Sequence, residues 1–298
     1  MRKHTGGGAF DPTDRHVYFL ASNPGRLERA ARAHDHLLVA VNEVESPSDI
    51  ATVESWLDRG LKVFLDSGVF SLAMEHAKRH EMPHDQALAL PPEEVDGFDR
   101  LFDRYCELVT RLGDRLWGYV EIDFGGLVNK RRTRARLEAL GFRPIPVYHP
   151  FADGWDYFDE LASAYDRICF GNIVQANRPT RKRLIRTAFE RKRQYPDLWI
   201  HLLGLTPNEW LNAYPIDSGD SSSWLSSVRW SNGQREFAAG QAFGLLPRDF
   251  RYKLGSEGEG PTGHDRAVQM SGYCSQLMMR NWRALLADLE SAGLLEDQ

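Results

Sequence analysis

The sequence predicts an α/β protein, and within that class a (β/α)8 barrel. Three observations carry the prediction. Short apolar runs alternate with segments of helical spacing along most of the chain, which implies a parallel sheet with crossover helices. The runs are apolar throughout, as strands buried on both faces are. Eight alternations can be counted if the segment after Asp220 closes the set, and eight is the number of a closed barrel; a doubly wound open sheet is the alternative. The 298 residues are read as one domain, with the barrel over about 17–228 and a hairpin, loop and helical extension over about 229–298.

Taken in order, Val17–Ala21 is a strand ended by the turn Ser22-Asn23-Pro24-Gly25, and Leu27–His34 a helix. Leu37–Val41 is the second strand. Asp49–Arg59 carries Ile50, Val53, Trp56 and Leu57 at helical spacing and is closed by Gly60. Leu61–Leu65 is the third strand and delivers Asp66-Ser67-Gly68. An insertion over Leu72–Leu90 places His76, His80 and His84 four residues apart, but Pro83 interrupts that helix and Lys78, Arg79 and Glu81 surround it. A solvated face is the preferred reading, not a metal site. A helix opens at Pro91-Pro92-Glu93-Glu94, with proline and acids suiting its first turn, and runs to about Leu112. Trp117–Ile122 is the fourth strand, leading to Asp123. Thr133–Leu140 is a helix, Pro144–Tyr148 the fifth strand reaching His149, and Asp156–Ala164 a helix. Arg167–Phe170 is the sixth strand, ending at Gly171-Asn172; Arg181–Tyr195 is a helix; Leu198–Leu203 and the region of Ile216 supply the last two strands. Beyond Trp224, Ser231-Asn232-Gly233-Gln234 suggests a hairpin, Gly255–Gly263 a flexible loop, and the Met- and Leu-rich stretch from about His264 a helix packed on the barrel.

Composition excludes several classes. The chain is 42% hydrophobic and 27% charged, with no apolar run of about eighteen residues, so no membrane span is expected. The N-terminal stretch has basic residues without an apolar segment after them and reads as a loose tail. Cys106, Cys169 and Cys274 are far apart, form no C-x-x-C pair and suggest a reduced, cytoplasmic chain. A net charge of −5 gives no overall attraction to nucleic acid, so such a role needs local patches.

The strand tips collect Asp66, Asp123, His149, Gly171-Asn172, Gly204 and Asp220 on one face. Buried acids near one another have separated pKa values, so one can act as nucleophile while another holds a proton. The glycines let backbone amides approach a flat ligand. Carboxylates with bare amides suit a base that presents N–H donors and a carbonyl, such as guanine. Asx-turns or helix caps account equally well for the Asp- and Ser-rich stretch Tyr214–Trp224 taken alone.

Four segments resemble one family. Asp66-Ser67-Gly68-Val69-Phe70-Ser71 resembles the D-S-G-G-F-Q motif of tRNA-guanine transglycosylases, Phe170–Val174 their glycine turn on the sixth strand, His201–Leu205 their H-x-M-G-V stretch, and Ile216–Ser221 their I-D-x-x-D-C segment. The order agrees from about Val17 to Trp224. The resemblance is closer still to phage and bacterial relatives that insert 7-deazaguanines into DNA, whose D-S-G-x-F-S and S-x-D-S-x-x-W patterns look like Asp66–Ser71 and Ser218–Trp224. The resemblance implies a base-exchange enzyme with Asp220 as nucleophile, Asp66 as general acid/base, Asp123 gripping the base edge with Ser67, Gly68 and His149 around it, and Gly171, Asn172 and the Leu203 and Gly204 amides on its other side. It implies DNA with guanine in a duplex and a free 7-deazaguanine as partners, no cofactor, and the cytoplasm as location (a host's, for a phage-encoded chain). The oligomeric state is open, a homodimer included. The tRNA enzymes carry a late C-x-C-x-x-C…H zinc site; Cys274 stands alone here, so no zinc is expected. His149 stands where those enzymes have a base-reading glutamine, and Asn172 replaces a glycine.

Two basic clusters are candidates for phosphate contact. Lys130, Arg131, Arg132, Arg134 and Arg136 crowd the start of one expected helix, and Arg178, Arg181, Lys182 and Arg183 the start of another. Cations at a helix N-terminus oppose its dipole unless an anionic polymer binds there. Transglycosylation of tRNA, release of the base to water, and a non-catalytic nucleic-acid binder are the competing functions.

Overall fold

The computed structural model describes residues 3–13, 17–31, 34–205 and 217–222. The expected hairpin, the Gly255–Gly263 loop and the stretch from His264 lie outside the described residues.

Eight strands form the sheet: β1 (Val17–Ala21), β2 (His36–Ala40), β3 (Lys62–Asp66), β4 (Gly118–Tyr119), β5 (Val147–Tyr148), β6 (Arg167–Phe170), β7 (Trp199–Leu202) and β8 (Ser218–Ser221). Their order is β4-β3-β2-β1-β8-β7-β6-β5, every paired neighbour parallel. The two edges meet through a parallel bridge between Val120 and Ile145. There Ile145 N–H donates to the Tyr119 carbonyl at 2.8 Å and Glu121 N–H to the Ile145 carbonyl at 2.9 Å. The ring is therefore closed, and the fold is a (β/α)8 TIM barrel. β4 and β5 are shorter than the expected Trp117–Ile122 and Pro144–Tyr148. Pro144 and Pro146 lack the N–H a ladder needs, and the Glu121 carboxylate takes the Val147 N–H at 2.6 Å. The eighth strand is not the Ile216 region but Ser218–Ser221, so Asp220 lies within the strand.

The helices are α1 (Pro24–Ala30), α2 (Pro47–Asp58), α3 (Val69–Arg79), α4 (His84–Ala89), α5 (Phe98–Leu112), α6 (Gly126–Ala139), α7 (Trp155–Ala164) and α8 (Arg178–Lys192). α2 starts as its sequence dictates: Ser46 caps the Asp49 N–H, Asp49 reaches back to the Ser46 N–H, and Pro47 opens the first turn. α6 begins at Gly126, seven positions before the expected Thr133, because Gly125 takes a left-handed φ of 74° that turns the chain into the helix.

Apolar side chains fill two layers. Phe19, Phe64, Trp117, Val147, Cys169 and Trp199 pack inside the barrel. Trp56, Tyr105, Phe158 and Ile185 belong to the layers under the helices. The N-terminal stretch is not a loose tail. Gly6, Gly8 and Ala9 donate backbone hydrogen bonds to Arg143, Asp114 and Leu116, and Phe10 sits edge-on to Trp117 and Trp199 at 5.2 and 5.1 Å. The buried Arg167 guanidinium stacks on Phe10 at 4.0 Å and donates to Thr5 Oγ1 and the Trp117 carbonyl at 2.6 and 2.7 Å. This segment closes the end of the barrel away from the strand tips, and each guanidinium nitrogen of the arginine gains an acceptor that offsets its desolvation.

Candidate active site

Active sites of such barrels form at the C-terminal ends of the strands, and the chain's acids gather there. Asp66 ends β3. Ser67 behind it is buried, and Gly68 adopts φ 79° as the residue before α3; a Cβ there would lie 2.5 Å from Asn42 Oδ1, so this turn requires glycine. Asp123 follows β4, and its Oδ2 accepts from His149 Nε2 at 2.8 Å. Asp220 in β8 is buried, and its Oδ1 accepts the Gly204 N–H at 3.0 Å and His201 Nε2 at 3.1 Å.

The Asp66 carboxyl senses the other two. Burial, then the charges of Asp220 and Asp123, push the Asp66 carboxyl from 3.8 up to about 7. Burial works in the same direction on Asp123, but the hydrogen bond and charge of His149, with Lys130 behind, hold its carboxyl below the ordinary value. The Cys169 thiol, inside the barrel on β6, is pushed well up by burial and by all three carboxylates. One site thus holds an acid that keeps its proton near neutral pH beside one that gives it up.

Several expectations need correction. The amides expected to be bare are engaged. Gly171 N–H donates to the Tyr148 carbonyl at 2.9 Å and Leu203 N–H to the Phe170 carbonyl at 3.1 Å, both as sheet ladder bonds, while Gly204 N–H serves Asp220. Gly171 has a different use: a Cβ would lie 3.1 Å from His149 Cδ2 and 3.0 Å from Val147 Cγ1, so its bareness lets His149 reach Asp123. Asn172 adopts φ 58°, the left-handed conformation that asparagine tolerates in place of glycine.

The cluster Lys130–Arg136 lies in the body of α6, not at its start. Lys130 is buried and paired with Asp153, and donates to the Val147 carbonyl at 3.1 Å. Arg134 is buried against Glu121 at 3.2 Å and the Tyr157 hydroxyl at 3.0 Å. Both are structural cations, needed because the Asp153 and Glu121 carboxylates they pair with are themselves buried, and neither can reach a phosphate. Arg131 and Arg132 are exposed and paired with Glu160 and Glu93. On α8 the expected N-terminal placement holds: Lys182 and Arg183 are exposed, and Arg181 donates to the Val174 and Ala176 carbonyls at 2.6 and 2.8 Å. Arg178 opens the helix.

His76 is buried, not on a solvated face. His76, His80 and Asp96 have ligand atoms within 4.8 Å of one another, but their bonding is already internal. The Asp96 N–H donates to His76 Nδ1 at 3.2 Å, and His80 and Arg79 each lie 2.8 Å from Asp96 Oδ2. A divalent ion there would have to displace the arginine. His84 turns away to the Phe70 carbonyl at 3.3 Å.

Sequence reasoning missed His201 as a side chain of the site, with Ser218 and Trp199 behind it. The signal was the period of two along β7, which puts Trp199 and His201 on the inner face. Asp217, by contrast, points out of the site: it pairs with Lys192 of α8 and accepts the Ile200 N–H at 2.9 Å.

No protein-family model and no curated protein sequence matches the chain. Solved structures give overlaps at low identity. A putative fructose-1,6-bisphosphate aldolase from Coccidioides immitis has 13% identity and a TM-score of 0.44, over 91% of this chain and 92% of that one. The tryptophan synthase alpha chain of Legionella pneumophila has 11% identity and a TM-score of 0.41, over 91% and 93%. A cube-shaped porous cage designed by fusing symmetric oligomeric domains has 13% identity and a TM-score of 0.42, over 94% and 78%. At these scores the overlaps carry nothing about chemistry. Among the described residues no helix is long and apolar enough to cross a membrane.

Proposed function

We propose that this protein is a base-exchange transglycosylase that replaces guanine in DNA with a 7-deazaguanine through a covalent Asp220–deoxyribose intermediate. The observation that carries the reading is the trio Asp66, Asp123 and Asp220 at the barrel mouth, with Asp66 pushed up to about 7 and Asp123 held low. Exchange with retention needs a nucleophilic carboxylate and a second carboxyl that first gives and then takes a proton. Asp220 fits the first role and Asp66 the second. An ionised Asp123 fits the N–H edge of a guanine-like base, with His149 holding its other oxygen. Redox chemistry has no part in such an exchange. The target base must leave the duplex stack to reach the mouth, and Lys182 and Arg183 at the start of α8 are the exposed cations best suited to the phosphates. The DNA preference rests on the motif resemblance and the absent cysteine–histidine module.

One observation favours a second reading. With Lys130 and Arg134 buried, and Arg131 and Arg132 paired with glutamates, much of the expected polymer surface is spent inside the protein. A glycosidase that releases the base of a free nucleoside to water needs less of it. The experiment that separates them is mass spectrometry of nucleosides from DNA and tRNA of cells expressing the chain with a deazaguanine supply. Deazaguanine in DNA supports exchange; guanine release without incorporation supports the glycosidase.

A further inference from the structure

The bonding around Asp220 runs deeper than the carboxylate. Trp199 Nε1–H donates to Ser218 Oγ at 2.7 Å. Ser218 Oγ lies 2.8 Å from His201 Nδ1, and His201 Nε2 lies 3.1 Å from Asp220 Oδ1. All four residues are buried. The indole is a donor only, so the serine oxygen must accept from it, and the serine proton is free to go to the imidazole. A carboxylate that is to attack as a nucleophile can only accept, so on the base-exchange reading His201 Nε2 is the donor of this bond. A neutral imidazole then has a bare Nδ1, which the serine hydroxyl fills. Every proton in the chain has one acceptor, and the ring is held in one tautomer. The ring itself is fixed edge-on to Phe64 at 4.7 Å and Phe19 at 5.8 Å.

From this geometry we infer that His201 is a positioning residue for the nucleophile, and that it selects which oxygen of Asp220 reacts. Oδ1 already accepts from His201 and from the Gly204 N–H. Oδ2 carries no protein hydrogen bond among the described residues. This inference rests on the base-exchange reading. Oδ2 forms the bond to the sugar C1′ while the bond from C1′ to the base nitrogen breaks; the bonding pair leaves on the base, which takes the proton of Asp66. In the return half the incoming base gives its N–H proton to Asp66, its nitrogen pair forms the new bond to C1′, and the C1′–Oδ2 pair returns to Asp220. Throughout, two donors hold Oδ1 and keep the carboxylate plane turned toward the sugar.

Two measurements test this. The first needs no activity: 15N NMR of the intact protein, with His201 assigned by its loss in His201→Gln. A proton on Nε2 and a bare Nδ1 are expected; a proton on Nδ1 alone, or on both nitrogens, overturns the chain as drawn. The second is kinetic. His201→Leu should lower kcat by about 10–100-fold, the effect of losing one charge-assisted hydrogen bond, with KM for the base and the unfolding midpoint little changed. His201→Gln, which keeps an N–H at the Nε2 position, should recover most of the rate. A leucine variant within about threefold of the parent kcat, or a glutamine variant as slow as leucine, overturns the positioning role. A parent enzyme that exchanges nothing would sink the base-exchange reading, and the NMR result would still decide the hydrogen-bond chain.

Discussion

Asp66 is held in its protonated form at the expense of stability, and Asp66→Asn exposes this. The folded carboxyl sits at about 7 against 3.8 for an unperturbed one. Because the folded pKa is raised, the folded state binds the proton more tightly than the unfolded chain. Below pH 3.8 both states are protonated and the group costs nothing. As pH rises from there toward 7, the unfolded chain gives up its proton while the folded one retains it, and stability falls; above 7 the loss is complete. The full difference corresponds to about 4 kcal/mol. Asp66 is only partly shielded from solvent, which reduces it to about 2–4 kcal/mol. Asparagine keeps the shape and has no proton to lose. Its advantage over the parent should therefore grow between pH 5 and pH 8 by about 2 kcal/mol, or about 4–8 °C in Tm, while exchange falls about 10²–10⁴-fold. Thermal or urea unfolding of both proteins at the two pH values, beside an exchange assay, measures this. An advantage that does not change with pH, or full turnover by the variant, would refute the desolvated-acid account.

Asp220→Ala should abolish exchange with the fold intact, read by circular dichroism and base incorporation. Asp217→Ala should do the reverse: it removes a buried carboxylate that pairs with Lys192 and accepts the Ile200 N–H, so stability should drop by about 3–5 kcal/mol in denaturant titrations, with turnover per folded molecule retained. Lys182→Ala with Arg183→Ala should weaken DNA binding without changing sequence preference and lower the salt slope by about 0.9 per contact, whereas Lys130→Ala and Arg134→Ala should destabilise the protein and leave the slope alone. Chelators should leave exchange unchanged and elemental analysis should find no stoichiometric zinc, because Arg79 occupies the carboxylate that a metal at His76 and His80 would need.

Most of the barrel was legible because strands such as Val17–Ala21 are apolar runs and helices such as Asp49–Arg59 carry apolar residues at helical spacing; β8, Ser218–Ser221, has no such run. Asp66, Asp123 and His149 were legible because a strand tip is a sequence position as much as a place in space; Asp220 was legible from its motif, although it lies within β8 and not past the expected Ile216 strand. What was hidden depended on partners distant in sequence. Lys130 and Arg134 read as surface cations until Asp153 and Glu121 are seen inside with them. The amides of Gly171 and Leu203 read as bare until the strands that accept from them are aligned. Arg167 and Phe10 lie far apart in the chain, so the N-terminal closure of the barrel left no local pattern. His201 sat in an apolar run, and only its bond to Asp220 separates it from a core histidine.

The central claim is tested most directly by offering labelled 7-deazaguanine, guanine-containing duplex DNA and total tRNA together to the purified protein, then digesting each polymer and quenching a parallel sample to look for sugar attached to Asp220. The account predicts label in DNA and a covalent adduct on Asp220 that vanishes in Asp220→Ala. Label in tRNA alone, or guanine release with no label in either polymer, would contradict it.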